Sequence, residues 1–283
     1  MTAILDSTRS LLPSGGLPQA LASSNARALL ILAIGLQVAL AVPSLAALFL
    51  DDRLLNGVSV WSKPLKFQAS LIMMLGTLLL LLPLIETHAR HGLGVWLACL
   101  AASLMASGEI LYITLQAARG RASHFNSDTA IETFAYGLMG IGAVLLVLSS
   151  LAIGLYILLK PEPGVARGLQ LGGGWGLVLG SVLTLITALA LGSGRIAGPG
   201  HWIGGVHSDA GGLFLFGWSR TGGDLRVPHF FATHLMQALP LLGLLIDRVA
   251  PSLAVVGIAA GALAGIAIVA ATFLQAVSGV PFL

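Results

Sequence analysis

Charge is what this sequence lacks most. Of its 283 residues only 14 are Lys or Arg and 11 are Asp or Glu, together 9%, against about 25% in an ordinary soluble domain. Hydrophobic residues make up 57% of the chain, and the mean hydropathy is +0.96. So little polar surface excludes a soluble body of this length, and with it intrinsic disorder, a coiled coil and a single-span anchor on a soluble domain. Cysteine is nearly absent. The one thiol, Cys99, cannot close an internal disulfide, and there is no Cys-x-x-Cys metal or redox motif. A removable signal peptide is not expected either, because residues 1–27 are polar and no small-residue cleavage pattern follows an apolar stretch. The net charge of +3 is what basic membrane loops produce and does not imply nucleic acid as a partner.

What is present in abundance is long apolar sequence. A helix needs about 20 apolar residues to cross the hydrocarbon core, and seven stretches qualify: 28–50, 67–86, 93–117, 134–159, 171–192, 229–247 and 252–276. The expectation is an all-α integral membrane protein, a seven-helix bundle in one domain (28–283) behind a polar segment (1–27). A glycine- and aromatic-rich loop, 193–228, would form a structured extramembrane cap. Seven spans place the termini on opposite sides. One side carries Arg9, Arg27, Arg90, Lys160, Arg167 and Arg248; the other carries Arg53, Lys63, Lys66, Arg119, Arg121, Arg195, Arg220 and Arg226. The plain tally favours the second side as cytoplasmic. Several of its cations sit in motif-like clusters, and with these discounted the N-terminus is expected inside.

Two internal patterns stand out. A shift of 163 lays Lys63 on Arg226, Lys66 on His229, Phe67 on Phe230 and Met73 on Met236, and a shift of 159 lays Leu115-Gln116-Ala117 on Leu274-Gln275-Ala276. Helices 2–3 would then match helices 6–7 as a parallel repeat, against the plainer alternative of chance similarity between apolar segments. Glycines at 257, 261 and 265, and at 172, 173, 174, 176 and 180, are read as close-packing positions.

Polar groups inside a bilayer are costly and face a cavity or a partner. Glu109, Tyr112 and Gln116 share one face of the third span at i, i+3 and i+7, with Glu109 deep enough to be protonated, paired or metal-bound. A dense polar turn follows, with Arg119, Arg121, Ser123, His124 and Asn126, then Asp128 and Glu132. Capping by Asn126 or Asp128 explains one or two of these. Span 2 opens Trp61-Ser-Lys63-Pro-Leu-Lys66-Phe67, which fits either snorkelling lysines beside an interfacial Trp or an anion site. In span 6, His229, Thr233 and Gln237 share a face with His234 beside it. Each histidine is either a hydrogen-bonded core residue or a ligand. Asp224 and Arg226 are expected to pair. Lys63, Lys66, Gln116, Arg119, Arg121, His124, Asn126, His201, His207, Asp209, Asp224, Arg226, His229 and His234 all fall on one side of the bundle, which is the strongest functional signal in the sequence.

No Walker loop, nucleophile elbow or zincin pattern is present, and no lysine occupies the seventh span as a retinal site would need. The strings Trp61-Ser-Lys63-Pro-Leu-Lys66-Phe67, Gln116-Ala-Ala-Arg119-Gly-Arg121-Ala-Ser123-His124-Phe125-Asn126 and Gly222-Gly223-Asp224-Leu225-Arg226-x-x-His229-Phe230-x-x-x-His234-x-x-Gln237 resemble an uncharacterised family of bacterial multi-pass membrane proteins over most of helices 2 to 6. That resemblance implies a bacterial inner-membrane location and carries no activity with it. Three functions follow as expectations. The first is a membrane oxidoreductase binding haem b or a transition metal, and a quinone or small anionic ligand. In it His124, His229 and His234 are the metal ligands and Lys63, Lys66, Arg119, Arg121, Asn126 and Arg226 hold the cofactor. Glu109, Tyr112, Gln116 and Asp224 act as its catalytic groups. The second is a transporter of ions or small solutes. The third is an accessory or sensory subunit whose cap docks a membrane-protein partner or a second copy.

Overall fold

The computed structural model describes residues 16–196 and 200–283, with side chains in the first helix from residue 26 onward. Seven long helices run α1 Gly16–Leu50, α2 Ser62–Leu81, α3 Leu93–Ala118, α4 Ala130–Leu159, α5 Arg167–Gly192, α6 Arg226–Val249 and α7 Ala254–Val277. All seven are long and apolar enough to cross a membrane, and the chain is an all-helical integral membrane bundle. Leu80, Ile141, Ile186 and Leu263 are exposed on its flanks, as a lipid-facing surface requires. The expected part of the chain 1–15, Arg9 included, lies outside the described residues.

Five helices begin before their apolar runs: α1 at Gly16, α2 at Ser62, α4 at Ala130, α5 at Arg167 and α6 at Arg226, against 28, 67, 134, 171 and 229. Polar residues in the opening turns hid these starts. The cap of α4 is Thr129, not Asn126 or Asp128. Its hydroxyl accepts from the Glu132 amide at 3.2 Å and donates to Glu132 Oε2 at 2.9 Å, a reciprocal cap that satisfies otherwise orphaned groups.

Glycine sets the closest approaches. The largest helix contact is α5 on α6. Along it Gly168, Gly172, Gly176 and Gly180 recur every fourth residue and leave no room for a Cβ against Gly243, Leu239, Leu235–Pro240 and Met236 respectively. Gly257, Gly261 and Gly265 on α7 similarly admit the side chains of Ile246, Leu242 and Leu235. Without a hydrophobic force between helices in lipid, such close backbone contact is what holds a bundle together. Asp247, at the end of α6, caps α5: its carboxylate oxygens accept from the amides of Gly168 and Leu169, each at 2.7 Å. A negative charge at a helix N-terminus is favourable.

Residues 51–61, 119–129, 193–196, 200–225 and 278–283 share one face of the bundle. On it, β1 (Leu54–Leu55) and β2 (Val58–Ser59) form a hairpin around Asn56 and Gly57, both at positive φ (53° and 81°), the Asn-Gly turn that right-twisted strands favour. Strand β3 (Trp202–Ile203) pairs with β4 (Gly223–Asp224) and closes the base of the long loop. The hairpin and the loop meet where Asn56 O accepts from the Asp209 amide at 2.9 Å and from Ser208 Oγ at 3.1 Å. We call this the capped face.

Candidate functional site

Helix α3 carries Glu109 nine residues before its end, about 13 Å along the axis at 1.5 Å per residue. The turn after α3 folds back into the bundle, so that His124 Nε2 stands 3.4 Å from Glu109 Oε1. Glu109 is thus paired rather than turned to lipid, which answers the cost of an intramembrane carboxyl. Ser123 Oγ lies 3.2 Å from His124 Nδ1. A hydroxyl donor on Nδ1 leaves the Nε2 proton facing the carboxylate. The Phe67 and Tyr136 rings flank the imidazole at 5.5 and 5.8 Å. Burial lowers the basicity of His124 and the nearby Lys63 charge lowers it further; Glu109 opposes both.

Lys63 stands at the first turn of α2, its ammonium 5.6 Å from the Phe67 centroid. Glu109, Asp209 and Arg226 are its charged neighbours, yet among the described residues it makes no hydrogen bond or ion pair. Lys66, one turn on, donates to Phe216 O at 3.0 Å and serves to hold the cap.

A second cluster lies in the cap. Arg226 Nη2 meets Asp224 Oδ2 at 2.6 Å, Asp209 Oδ1 at 2.9 Å and Gly217 O at 2.7 Å. Asp209 Oδ1 also sits 3.3 Å from His201 Nε2. A carboxylate only accepts, so His201 Nε2 carries the proton. Burial acts to raise the Asp209 pKa, but His201 and Arg226 overcome it and hold the carboxyl below its ordinary range. Burial pushes His201 below its ordinary range, Asp209 opposing. The Trp202 ring packs on His201 at 3.8 Å, and its buried indole N–H has no acceptor among the described residues.

The remaining expected site residues are engaged with one another. Arg121 pairs with Glu132 through two nitrogens, one at 2.6 Å, and with Asp128 at 3.0 Å. Gln116 donates to Glu132 at 3.1 Å and to Ala122 O at 3.2 Å, while Arg119 donates to Gln116 at 2.7 Å. Asn126 donates to Ala122 O at 2.8 Å and accepts from the Asp128 amide at 3.0 Å. This network shapes the turn that delivers His124, and it accounts for the polar crowding that capping alone did not. Tyr112, on the same face of α3, keeps a buried hydroxyl without a partner among the described residues. Asp224 is held by three groups, accepting from the Ser219 and Arg226 amides and from the Arg226 guanidinium.

The three histidines expected as metal ligands turn to different neighbours. His124 faces Glu109. His229 Nδ1 lies 3.2 Å from Thr187 on α5, and His234 Nδ1 lies 3.1 Å from Gln237. Gln237 in turn donates to Thr77 on α2 at 3.0 Å. Among the described residues no three His, Cys, Asp or Glu side chains are placed to hold one metal ion.

His201, Asp209 and Trp202 carry no role in the sequence reading; the contact of Asp209 with Asn56 O is tertiary and has no local signal. No family model, curated protein or solved structure matches the chain, so the motifs and the geometry carry the reading alone.

Proposed function

We propose that this is a proton-linked carrier of small anions in the bacterial inner membrane. The observation that carries the reading is the Lys63 ammonium, a cation without a partner among the described residues, set beside a histidine–carboxylate pair. Opposite charge favours the charged form of a titratable group and like charge disfavours it. Lys63 is one of the forces holding His124 neutral. An anion seated on Lys63 cancels that force, so His124 becomes more basic and takes up a proton as the anion binds. Glu109 orients the imidazole and stabilises the resulting imidazolium.

The bundle has features that suit alternating access. Helices α1–α3 pack together, as do α5–α7, with α4 between them. The four-span correspondence in the sequence would make these two groups the halves of a parallel repeat.

The test uses the full chain in proteoliposomes, with labelled acetate, succinate and inorganic phosphate as probes and an imposed pH gradient. At least one probe should accumulate when the outside is acidic. Lys63→Gln should reduce its uptake at least about tenfold, the effect of losing a charged contact worth 1.5–3 kcal/mol. His124→Gln should leave binding but abolish the response to the gradient. No accumulation of any probe, or accumulation indifferent to both substitutions, would overturn the reading.

A quinone-binding redox protein is the second reading. Phe67 lies against both Lys63 and His124, an aromatic wall beside a cation and a proton donor, which suits a planar ring with carbonyl oxygens. Titration of the purified protein with a short-chain quinone, followed by Trp fluorescence, separates the two. A visible spectrum of the native protein tests the haem or metal expectation.

A further inference from the structure

The opposite face of the bundle holds a cavity that the proposed function does not use. It measures about 390 Å³ and is lined by Arg27, Arg90 and His91 together with Leu79, Leu82 and Pro83. Arg27 directly precedes the apolar run that opens at residue 28, and Pro83 lies in the 3₁₀ turn Leu82–Leu84 that ends the α2 span. The cavity therefore lies at the level where hydrocarbon gives way to headgroups. Its lining combines leucine with guanidinium groups.

Arg90 is fixed in place. Its Nη1 donates to Pro83 O at 3.3 Å and its Nη2 to Thr87 Oγ1 at 3.2 Å, and Thr87 Oγ1 donates to Glu162 Oε2 at 3.0 Å. A guanidinium has five N–H donors, so these two bonds orient the group and leave donors over. Arg27 has no hydrogen bond or ion pair among the described residues. Two arginines at one cavity, with no carboxylate lining it among the described residues, form a site for an anion, and arginine matches phosphate oxygens in a bidentate fork. We propose that this cavity binds a phosphate group, and that its source is the headgroup of an anionic phospholipid. Leu79 and Leu82 provide the apolar wall against which the start of an acyl chain would lie, a feature that free phosphate would not need. Basic pockets between membrane helices take lipid headgroups in this way.

The test measures the thermal stability of the full chain in a neutral detergent. Phosphatidylglycerol, phosphatidylcholine and inorganic phosphate are added in separate titrations. Phosphatidylglycerol should raise the melting temperature with a saturable dependence, and phosphatidylcholine should not. If inorganic phosphate reproduces the shift, the site is a phosphate site and the lipid source is wrong. Arg27→Gln and Arg90→Gln should each weaken the phosphatidylglycerol response about fivefold, the loss expected for one cation near a lipid surface. Arg27 is exposed and makes no hydrogen bond among the described residues, so its substitution keeps the test meaningful if Arg90→Gln fails to fold. Lys160→Gln, on the same face but outside the cavity, should change nothing. Equal responses to the two lipids, or a response unaltered in Arg27→Gln, would overturn the proposal.

Discussion

Single residues on the capped face divide by whether their charge is matched. Arg226, Asp224 and Asp209 satisfy one another, and Arg121 does the same with Glu132 and Asp128. These are the groups that hold loops in place. Lys63 is half-buried and makes no ion pair among the described residues, and an unmatched cation in a low-dielectric setting is what a ligand can exploit. His201 makes the cap sensitive to acid. Burial holds its folded-state pKa below the ordinary 6.5, so the unfolded chain takes up a proton that the folded cap refuses. The stability owed to neutral His201 is complete above pH 6.5 and is lost as the pH falls below it. Asp209, held below its ordinary 3.8, keeps its contribution until the pH falls into the carboxylate range. Amide protection in residues 200–210, taken relative to the intrinsic exchange rate at each pH, should therefore fall between pH 7 and pH 5, and His201→Gln should flatten that change. Protection that is constant across the interval in the native protein would show that His201 does not control the cap.

At the scale of helices, the decisive contacts are those that admit no side chain. A Cβ on Gly176 would stand 2.9 Å from Pro240 Cδ and 3.0 Å from Leu235 O. A backbone carbonyl cannot rotate away as a side chain can, so the two helices must part. Gly176→Val should destabilise the bundle by about 1–3 kcal/mol, the usual cost of overpacking, as measured by equilibrium unfolding in mixed SDS micelles. Gly35→Val is the matched control, because a Cβ there meets nothing within 4 Å. Equal losses in the two variants would mean that α5–α6 proximity is not what the glycine provides. The helix starts teach a related lesson. Apolar runs locate the lipid-crossing part of a helix, but Thr129 extends α4 into a polar turn by accepting from the Glu132 amide while its hydroxyl donates to the Glu132 carboxylate, and no hydropathy pattern records that.

The whole molecule has an odd number of spans, and this has a direct consequence. The links 51–61 and 160–166 must lie on opposite sides of the membrane. Cys99 is buried, so Cys99→Ser gives a cysteine-free background with little surface disturbance. Ser59→Cys and Glu162→Cys should then react with a membrane-impermeant maleimide from opposite sides of sealed vesicles. Labelling of both from one side would refute the seven-span arrangement. The same experiment assigns the capped face to one compartment, which the near-even distribution of basic residues leaves open.

Composition was enough to make this a membrane bundle, because 25 charged residues cannot solvate a chain of 283, and the apolar run lengths set the number of spans. Local spacing also placed Glu109, Tyr112 and Gln116 on one helix face and paired Asp224 with Arg226. Which polar groups meet across the bundle was beyond its reach. The turn after α3 folds inward rather than outward, and that brings His124 to Glu109 while Arg119, Arg121 and Asn126 spend their hydrogen bonds on the turn itself. Periodicity reports the direction a side chain leaves its own helix. The partner it finds depends on how loops and neighbouring helices pack, and those long-range contacts leave no local pattern to read.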